Sequence, residues 1–280
     1  MKELISILLI IMILSTSCTS LLKVDEDKVK DVSDKVTDAL INTVGQEKAE
    51  KQESHTVEST DINTFKLINS VGNISIVSHK SEDTIININI TSKAGSKDKA
   101  EEIIENYNYT IETSDNSIVV DTSYDEPFTG ISLTTDLVVY IPSTIKEIEV
   151  STNVGDVNLS GVFANMQIDN NVGEIIIDKA EGLYNIKVDV GAIILKDCIA
   201  VGNSEFKTNT GEIDISFSSI SKAVSIIAET GVGDIEMSLS DDSGYHATIN
   251  EFMKDERIQT KNDQGTNINL KTGVGEIDFN

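Results

Sequence analysis

A short unit recurs along the chain: a glycine followed by an apolar–x–apolar pair. The copies are NSVGNISI at 69–76, TNVGDVNL at 152–159, NNVGEIII at 170–177 and VDVGAIIL at 188–195, then TNTGEIDI at 208–215, TGVGDIEM at 230–237 and TGVGEIDF at 272–279. Their glycines are Gly72, Gly155, Gly173, Gly191, Gly211, Gly233 and Gly275. From Gly155 onward the intervals are 18, 18, 20, 22 and 42 residues, the last close to two units with one copy degraded around 244–257. A period near 20 residues is the signature of stacked structural units, each burying its apolar face against the next.

The phase of the apolar residues says which units. Two residues after each glycine stand Val157, Ile175, Ile193, Ile213, Ile235 and Ile277. Four after stand Leu159, Ile177, Leu195, Ile215, Met237 and Phe279, and five before stand Val150, Ile168, Ile186, Phe206, Ala228 and Leu270. Period-two spacing at corresponding positions is that of strands with one buried face. Each unit therefore supplies two strands joined at a sharp corner, where glycine accepts positive φ without penalty. The expected fold is mainly β: a parallel β-helix, or β-solenoid, with coils of about 20 residues over 143–280. At about 4.8 Å per coil, six coils make a rod roughly 30 Å long. A closed antiparallel sandwich is the competing architecture, but it has no need of phased columns.

Upstream the chain changes character twice. Residues 62–142 alternate as half-buried strands, among them Phe65–Leu67, Ile74–Ile76, Ile86–Ile90, 109–113, 117–122 and Asp136–Ile141. They are interrupted at 97–107 by Ala100, Ile103, Ile104 and Tyr107 at helical spacing, with Asp98 as the expected N-cap. Residues 18–61 are rich in Lys, Asp, Glu and Ser. Within them Val29, Val32, Val36, Ala39, Leu40 and Val44 predict an amphipathic stalk helix over about 25–48, followed by a flexible linker over 49–61.

The first residues supply an address. Met1–Lys2 precede an apolar run, Leu4–Leu14, too short to span a bilayer and suited to a secretory signal over 1–17. Ser15-Thr16-Ser17-Cys18 then resembles a bacterial lipoprotein cleavage site, although Leu14 stands four rather than three residues before the cysteine. That resemblance implies lipid attachment at Cys18 and a place at the extracytoplasmic face of the cell membrane. Two or more acyl chains would hold the protein there stably. With Cys18 acylated, Cys198 has no disulfide partner and is expected as a small buried apolar residue.

Charge excludes one class of partner. The chain has 22 basic and 47 acidic residues, a net −25, and its sole arginine is Arg257. Such a surface repels phosphate, so no nucleic acid is expected. Part of the acidity is ordered by the repeat. Asp156, Glu174, Glu212, Asp234 and Glu276 each follow a repeat glycine, with Ala192 interrupting, and Asp214, Glu236 and Asp278 form a second row two residues on. Stacked carboxylates repel one another. Spreading into solvent relieves that, and so does a cation such as calcium, which takes oxygen-rich sites. A solvated face and a calcium ladder both remain open, although the pattern is not the calcium-binding glycine-rich nonapeptide. No other cofactor is implied.

The segment LVVYIPSTIKEIEVSTNVGDVNLSG at 137–161 is an apolar strand ending in proline, then coils with glycine–acidic–aliphatic signatures. It resembles the bacterial putative-adhesin family, and the resemblance extends over 65–280. It implies β-helical coils, surface exposure and attachment, and no catalytic residue travels with it. Three histidines, His55, His79 and His246, stand in unrelated contexts, and no HExxH, GxSxG or phosphate loop occurs. There is no Trp, and the tyrosines show no stacking platform. The expectation is a non-enzymatic, membrane-anchored surface lipoprotein contacting a surface ligand or another envelope protein. The alternatives are an accessory that modulates an envelope-stress sensor through its stalk helix, and a polysaccharide-active enzyme using Arg257 or acids of 240–262. Because the chain ends inside a repeat strand, an open C-terminal β edge is also expected, with self-association through it.

Overall fold

The computed structural model describes residues 47–114, 116–124, 132–252, 254–262 and 265–280. The chain divides into two units, Met1–Gln46 and Glu47–Asn280. The signal segment, Cys18 and nearly all of the expected stalk helix lie outside the described residues.

The second unit is mainly β, with one helix among the described residues, and its strands belong to one open sheet rather than a closed barrel. Strands β8 (Glu147–Val154), β10 (Asn165–Val172) and β13 (Tyr184–Val190) each lead into a repeat glycine. So do the ends of β14 (Ile193–Thr210), β15 (Ile213–Val232) and β19 (Thr266–Val274). Leaving the glycines are β9 (Val157–Ser160), β11 (Ile175–Asp178), the starts of β14 and β15, β16 (Ile235–Leu239) and β20 (Ile277–Phe279).

The phased columns of the sequence are the ladder register. Val150, Ile168, Ile186, Phe206, Ala228 and Leu270 are successive partners in one parallel ladder. Leu159, Ile177, Leu195, Ile215, Met237 and Phe279 are successive partners in another. All twelve are buried. A further set of smaller buried groups is Val162, Ala164, Ala180, Cys198, Ala200 and Ile220. It is paired through Phe163–Glu181 and through β12 (Glu181–Gly182) with Ile199–Ala200. Tyr184, Phe206 and Phe217 pack together inside, with ring centroids 5.8–6.3 Å apart. The buried Tyr184 hydroxyl donates to the Ala180 carbonyl at 2.8 Å.

Chain order and stacking order part company at both ends. β2 (Thr64–Val71) lies between β6 (Ser117–Thr122) and β8, and β3 (Ile74–His79) lies between β7 (Ser132–Pro142) and β9. Residues 64–79 are thus stacked inside 117–142, which the chain lays down later. At the other end β19 lies between β15 and β17 (Tyr245–Glu251), and β17 also pairs antiparallel with β18 (Arg257–Lys261). The degraded copy expected around 244–257 is therefore half a unit, stacked out of order as the inner arm of a hairpin.

At the C-terminal edge β17 covers β19, and side chains meet Ile277 of β20, which pairs with β16. Glu251 Oε1 accepts from the Ile277 N–H at 3.0 Å, and Arg257 Nη2 donates to the Ile277 carbonyl at 3.0 Å and to Glu251 Oε2 at 3.2 Å. Burial alone would push the Glu251 carboxyl up, but the Ile277 N–H, Lys254 and Arg257 outweigh it and hold the group below its ordinary 4.5.

The opposite end is closed by β4 (Asp83–Ala94), antiparallel to both β7 and β1 (Glu47–Glu58). The linker expected from residue 49 is thus mostly strand. β1 is KAEKQESHTVE-like, without apolar alternation, because it is an edge strand blunted by charge. Helix α1 (Lys97–Asn106) buries Ala100 and Ile104. Its N-cap is Ser96, whose Oγ accepts from the Lys99 N–H at 3.4 Å, and not the expected Asp98, which sits in the first turn where a carboxylate favours the helix dipole. β5 (Thr110–Thr113) pairs antiparallel with β6.

Three substitutions test this architecture. Gly211 has φ +149, and a Cβ there would lie 1.7 Å from the Gly191 carbonyl oxygen. Gly211→Ala is expected to cost about 3 kcal/mol or more in urea unfolding. Gly202→Ala, at φ +64 with its nearest contact at 3.6 Å, should cost only about 1 kcal/mol. Glu251→Gln should lose about 1–2 kcal/mol at pH 7. Since the folded carboxyl lies below 4.5, this difference is full above that pH and should shrink as pH falls toward the folded value.

Candidate functional site

The repeat corner is where the sequence concentrates its polar chemistry. All seven repeat glycines have φ between +137 and +150. Each of the middle ones donates its N–H to the carbonyl just before the next glycine: Gly155 to Val172 at 2.9 Å, Gly191 to Thr210 at 2.9 Å and Gly233 to Val274 at 2.8 Å. Its own carbonyl then faces the coil that follows. Three residues before every repeat glycine except Gly191, where Val188 stands, is a buried polar side chain, and several of these meet a glycine carbonyl. Asn170 Nδ2 donates to Gly155 at 2.9 Å, Thr230 Oγ1 to Gly211 at 3.0 Å and Thr272 Oγ1 to Gly233 at 2.8 Å. Thr152 Oγ1 is buried without a partner, because Asn69 Nδ2 already donates to Gly72 at 3.2 Å.

The acids after the glycines recur at the bends of successive repeats, with Ala192 in one place, and the structure gives the short ones a bond of their own. Asp156 Oδ1 accepts from the Glu174 N–H at 2.9 Å, and Asp234 Oδ1 accepts from the Glu276 N–H at 2.7 Å. The row also contains two members that the acid pattern does not reveal. Asn73 N–H donates to Asp136 Oδ1 at 2.8 Å, and Asn73 Oδ1 accepts from the Asp156 N–H at 3.0 Å. Asp and Asn are short enough to reach the next coil's N–H at the bend, and that geometry is what the residue type encodes. Glu174, Glu212 and Glu276 stand in the same row and are all exposed. Among the described residues no three acidic, His or Cys side chains come together as a metal site.

Two more rows flank the acids. Val154, Val172, Val190, Val232 and Val274, one residue before their glycines, are 43–58 % exposed and stack in register, with Thr210 completing the column. Beside them runs an amide–acid row, in which Asn171 Nδ2 donates to Asn153 Oδ1 at 3.0 Å and Asn209 Nδ2 to Asp189 Oδ1 at 3.1 Å. The corner thus presents parallel amide, valine and acid rows, each spaced by one coil. Asp214, Glu236 and Asp278 are register partners on the adjacent face and are all exposed.

The other candidate groups are dispersed. Burial pushes the Cys198 thiol up, consistent with a packing role. His79 Nε2 pairs with the Asp83 carbonyl at 2.7 Å, and His246 Nδ1 with Thr260 Oγ1 at 3.1 Å. His55 Nε2 lies 2.7 Å from the Tyr109 hydroxyl, which also donates to Glu53. Lys51 Nζ sits 2.6 Å from Glu53, and its hydrogen bond holds that carboxyl below the usual range. This cluster ties the edge strand β1 to the segment entering β5. Arg257 is committed to the terminal cap.

No family model matches the chain, and no curated protein matches it. Solved structures that are similar include a putative cell adhesion protein from Clostridium sporogenes ATCC 15579, at 15 % identity and TM-score 0.35, covering 82 % of this chain and 99 % of that one. A putative adhesin from Bacteroides fragilis NCTC 9343 shares 15 % identity at TM-score 0.38, covering 82 % and 97 %. A putative lipid binding protein from Parabacteroides distasonis ATCC 8503 shares 10 % at TM-score 0.37, covering 81 % and 96 %. At such scores the likeness decides nothing about this chain.

The two members of the acid row are distinguishable by experiment. Asp156→Ala removes an acceptor from the Glu174 N–H and should cost about 1 kcal/mol in thermal unfolding. Glu174→Ala should stay within about 0.5 kcal/mol, as exposed substitutions do.

Proposed function

We propose that this chain is a non-enzymatic, lipid-anchored protein of the cell envelope whose parallel ladders wind as a β-helix that attaches to surface or envelope components. The observation that carries this reading is the repeat corner. It presents amide, valine and acid rows in register over successive coils, an extended and regular contact surface with no cleft in its plan. Extended repeat surfaces of this kind serve binding more readily than chemistry. The signal segment and Cys18 supply the address.

The anchor is tested directly. Cells fed a labelled fatty acid should label the wild-type chain and not Cys18→Ser, and the variant should leave the membrane fraction. Unchanged labelling of the variant would refute the anchor. Attachment is tested by titrating the purified full chain onto isolated cell envelopes and matrix proteins. Saturable binding is the expected result. Paired charge substitutions at Val172 and Val190 should weaken it at least tenfold if the corner is the contact.

A further inference from the structure

The strand β1 has 12 residues, all paired with β4 on one side, and among the described residues no strand pairs with its other side. Its inner face is occupied: Ala49 is buried, and Glu53 and His55 meet the Tyr109 hydroxyl. The outer edge is not. Main-chain N–H and C=O groups of alternate residues point there, a row that a further strand can join. Along it Lys48, Glu50, Lys51, Gln52 and Ser54 are exposed.

Charge decides which strand fits. A second copy reaches this edge antiparallel, about a two-fold axis normal to the sheet. Such an axis keeps the two faces of the sheet, so opposed side chains share a face and one residue stands opposite its own copy. Axes at Glu50 through His55 leave at least seven residues of β1 paired. At Glu50, Lys51 or Glu53 a charge faces itself, and at Ser54 the axis sets Glu50 against Glu58. At His55 no lysine faces a glutamate. At Gln52, residues 47–57 of both copies pair, Lys51 faces Glu53 twice, and no like charges are opposed. Lys51 Nζ already lies 2.6 Å from Glu53 in its own strand, so the two copies close a ring of four alternating charges. The Lys51 side chain is 49 % exposed and free to take a second carboxylate. The terminal strand β18 lacks this self-complementarity, since an axis at Gln259 sets Arg257 against Lys261.

We propose that β1 pairs with β1 of a second copy of this chain, antiparallel and centred on Gln52. The two bodies then share one sheet, in which the outer row Asp136–Asn89–Gln52 meets its own copy at the axis. Main-chain hydrogen bonds supply the association, and the Lys51–Glu53 pairs fix its register. The charges on β1 thereby do two things. They deter strands that oppose like charges to them, and they admit the one register that does not. The pairing is isologous and uses the same edge in both copies, so it stops at two chains. It is independent of what the repeat corner attaches to.

The test is sedimentation velocity of the full chain carrying Cys18→Ser, which removes the proposed lipid and its thiol. A concentration-dependent shift from one chain to two is expected. Lys51→Glu should weaken the association at least tenfold, and adding Glu53→Lys to it should restore the original affinity, because the reversed pair is again complementary. Oxidative cross-linking reads the register without disturbing the fold, since it uses exposed positions. Opposed Cα atoms stand about 4.5–5.5 Å apart, within disulfide reach. Gln52→Cys should therefore cross-link to its own copy. Glu50→Cys should not, but should do so when mixed with Ser54→Cys. A single chain at every concentration, as when another part of the chain covers β1, would overturn the proposal. So would association indifferent to Lys51→Glu, cross-linking by Glu50→Cys alone, or growth beyond two chains, which would assign the edge to a different strand such as β18.

Discussion

The contact on which the rest depends is between one repeat glycine and the next. Each sits so close to the glycine of the coil before it that a Cβ would fall 1.7–2.1 Å from that carbonyl oxygen. No side chain survives there, and the positive φ excludes most other residues as well. Parallel pairing sets the spacing between successive repeats, and only glycine fits the approach it leaves at the bend. The N–H of one glycine meets the next coil's carbonyl, Thr or Asn reaches the glycine carbonyl from within, and Asp or Asn reaches the following N–H from without. The head of the column is Thr135, whose carbonyl meets Gly72 and whose following residue, Asp136, begins the acceptor row.

A stack of parallel strands has two open ends, and exposed edges invite pairing with other chains. Both ends here are closed by antiparallel additions: β4 with β1 at one, the β17–β18 hairpin at the other. The closing strands carry the charge. β1 is largely Lys, Glu and polar residues, and β18 is Arg257-Ile258-Gln259-Thr260-Lys261. Glu251 and Arg257 finish the work at β20, where three residues are too few for a full covering strand.

The acidity has a structural share and a surface share. Asp156, Asp234 and Asp136 are acceptors for main-chain N–H groups that the glycine bend leaves without a backbone partner. Asp241 plays a similar part elsewhere: burial would raise its carboxyl, but the Ser243 and Ser219 hydroxyls and the N–H groups of Ile220 and Ser243 hold it below the usual range. The glutamates of the row, and the column Asp214, Glu236 and Asp278, instead face solvent, where mutual repulsion is weak.

The sequence by itself determined the strands of the repeat and their buried faces. Spacing of apolar residues around each glycine named the buried columns residue by residue, because parallel stacking puts equivalent positions on equivalent neighbours. It also marked the glycines, since a residue chosen for lacking a side chain is visible in one dimension. What it could not decide was which coil lies next to which. Residues 64–79 and 266–279 are inserted between segments far away in the chain, and a periodic pattern carries no order of stacking. The strand at 47–58 was hidden because an edge strand need not alternate. The Glu251–Arg257 cap was hidden because it joins strands whose proximity is set only by register. Local geometry is written in local residues; adjacency between distant segments is settled by the tertiary packing that buries both of their faces.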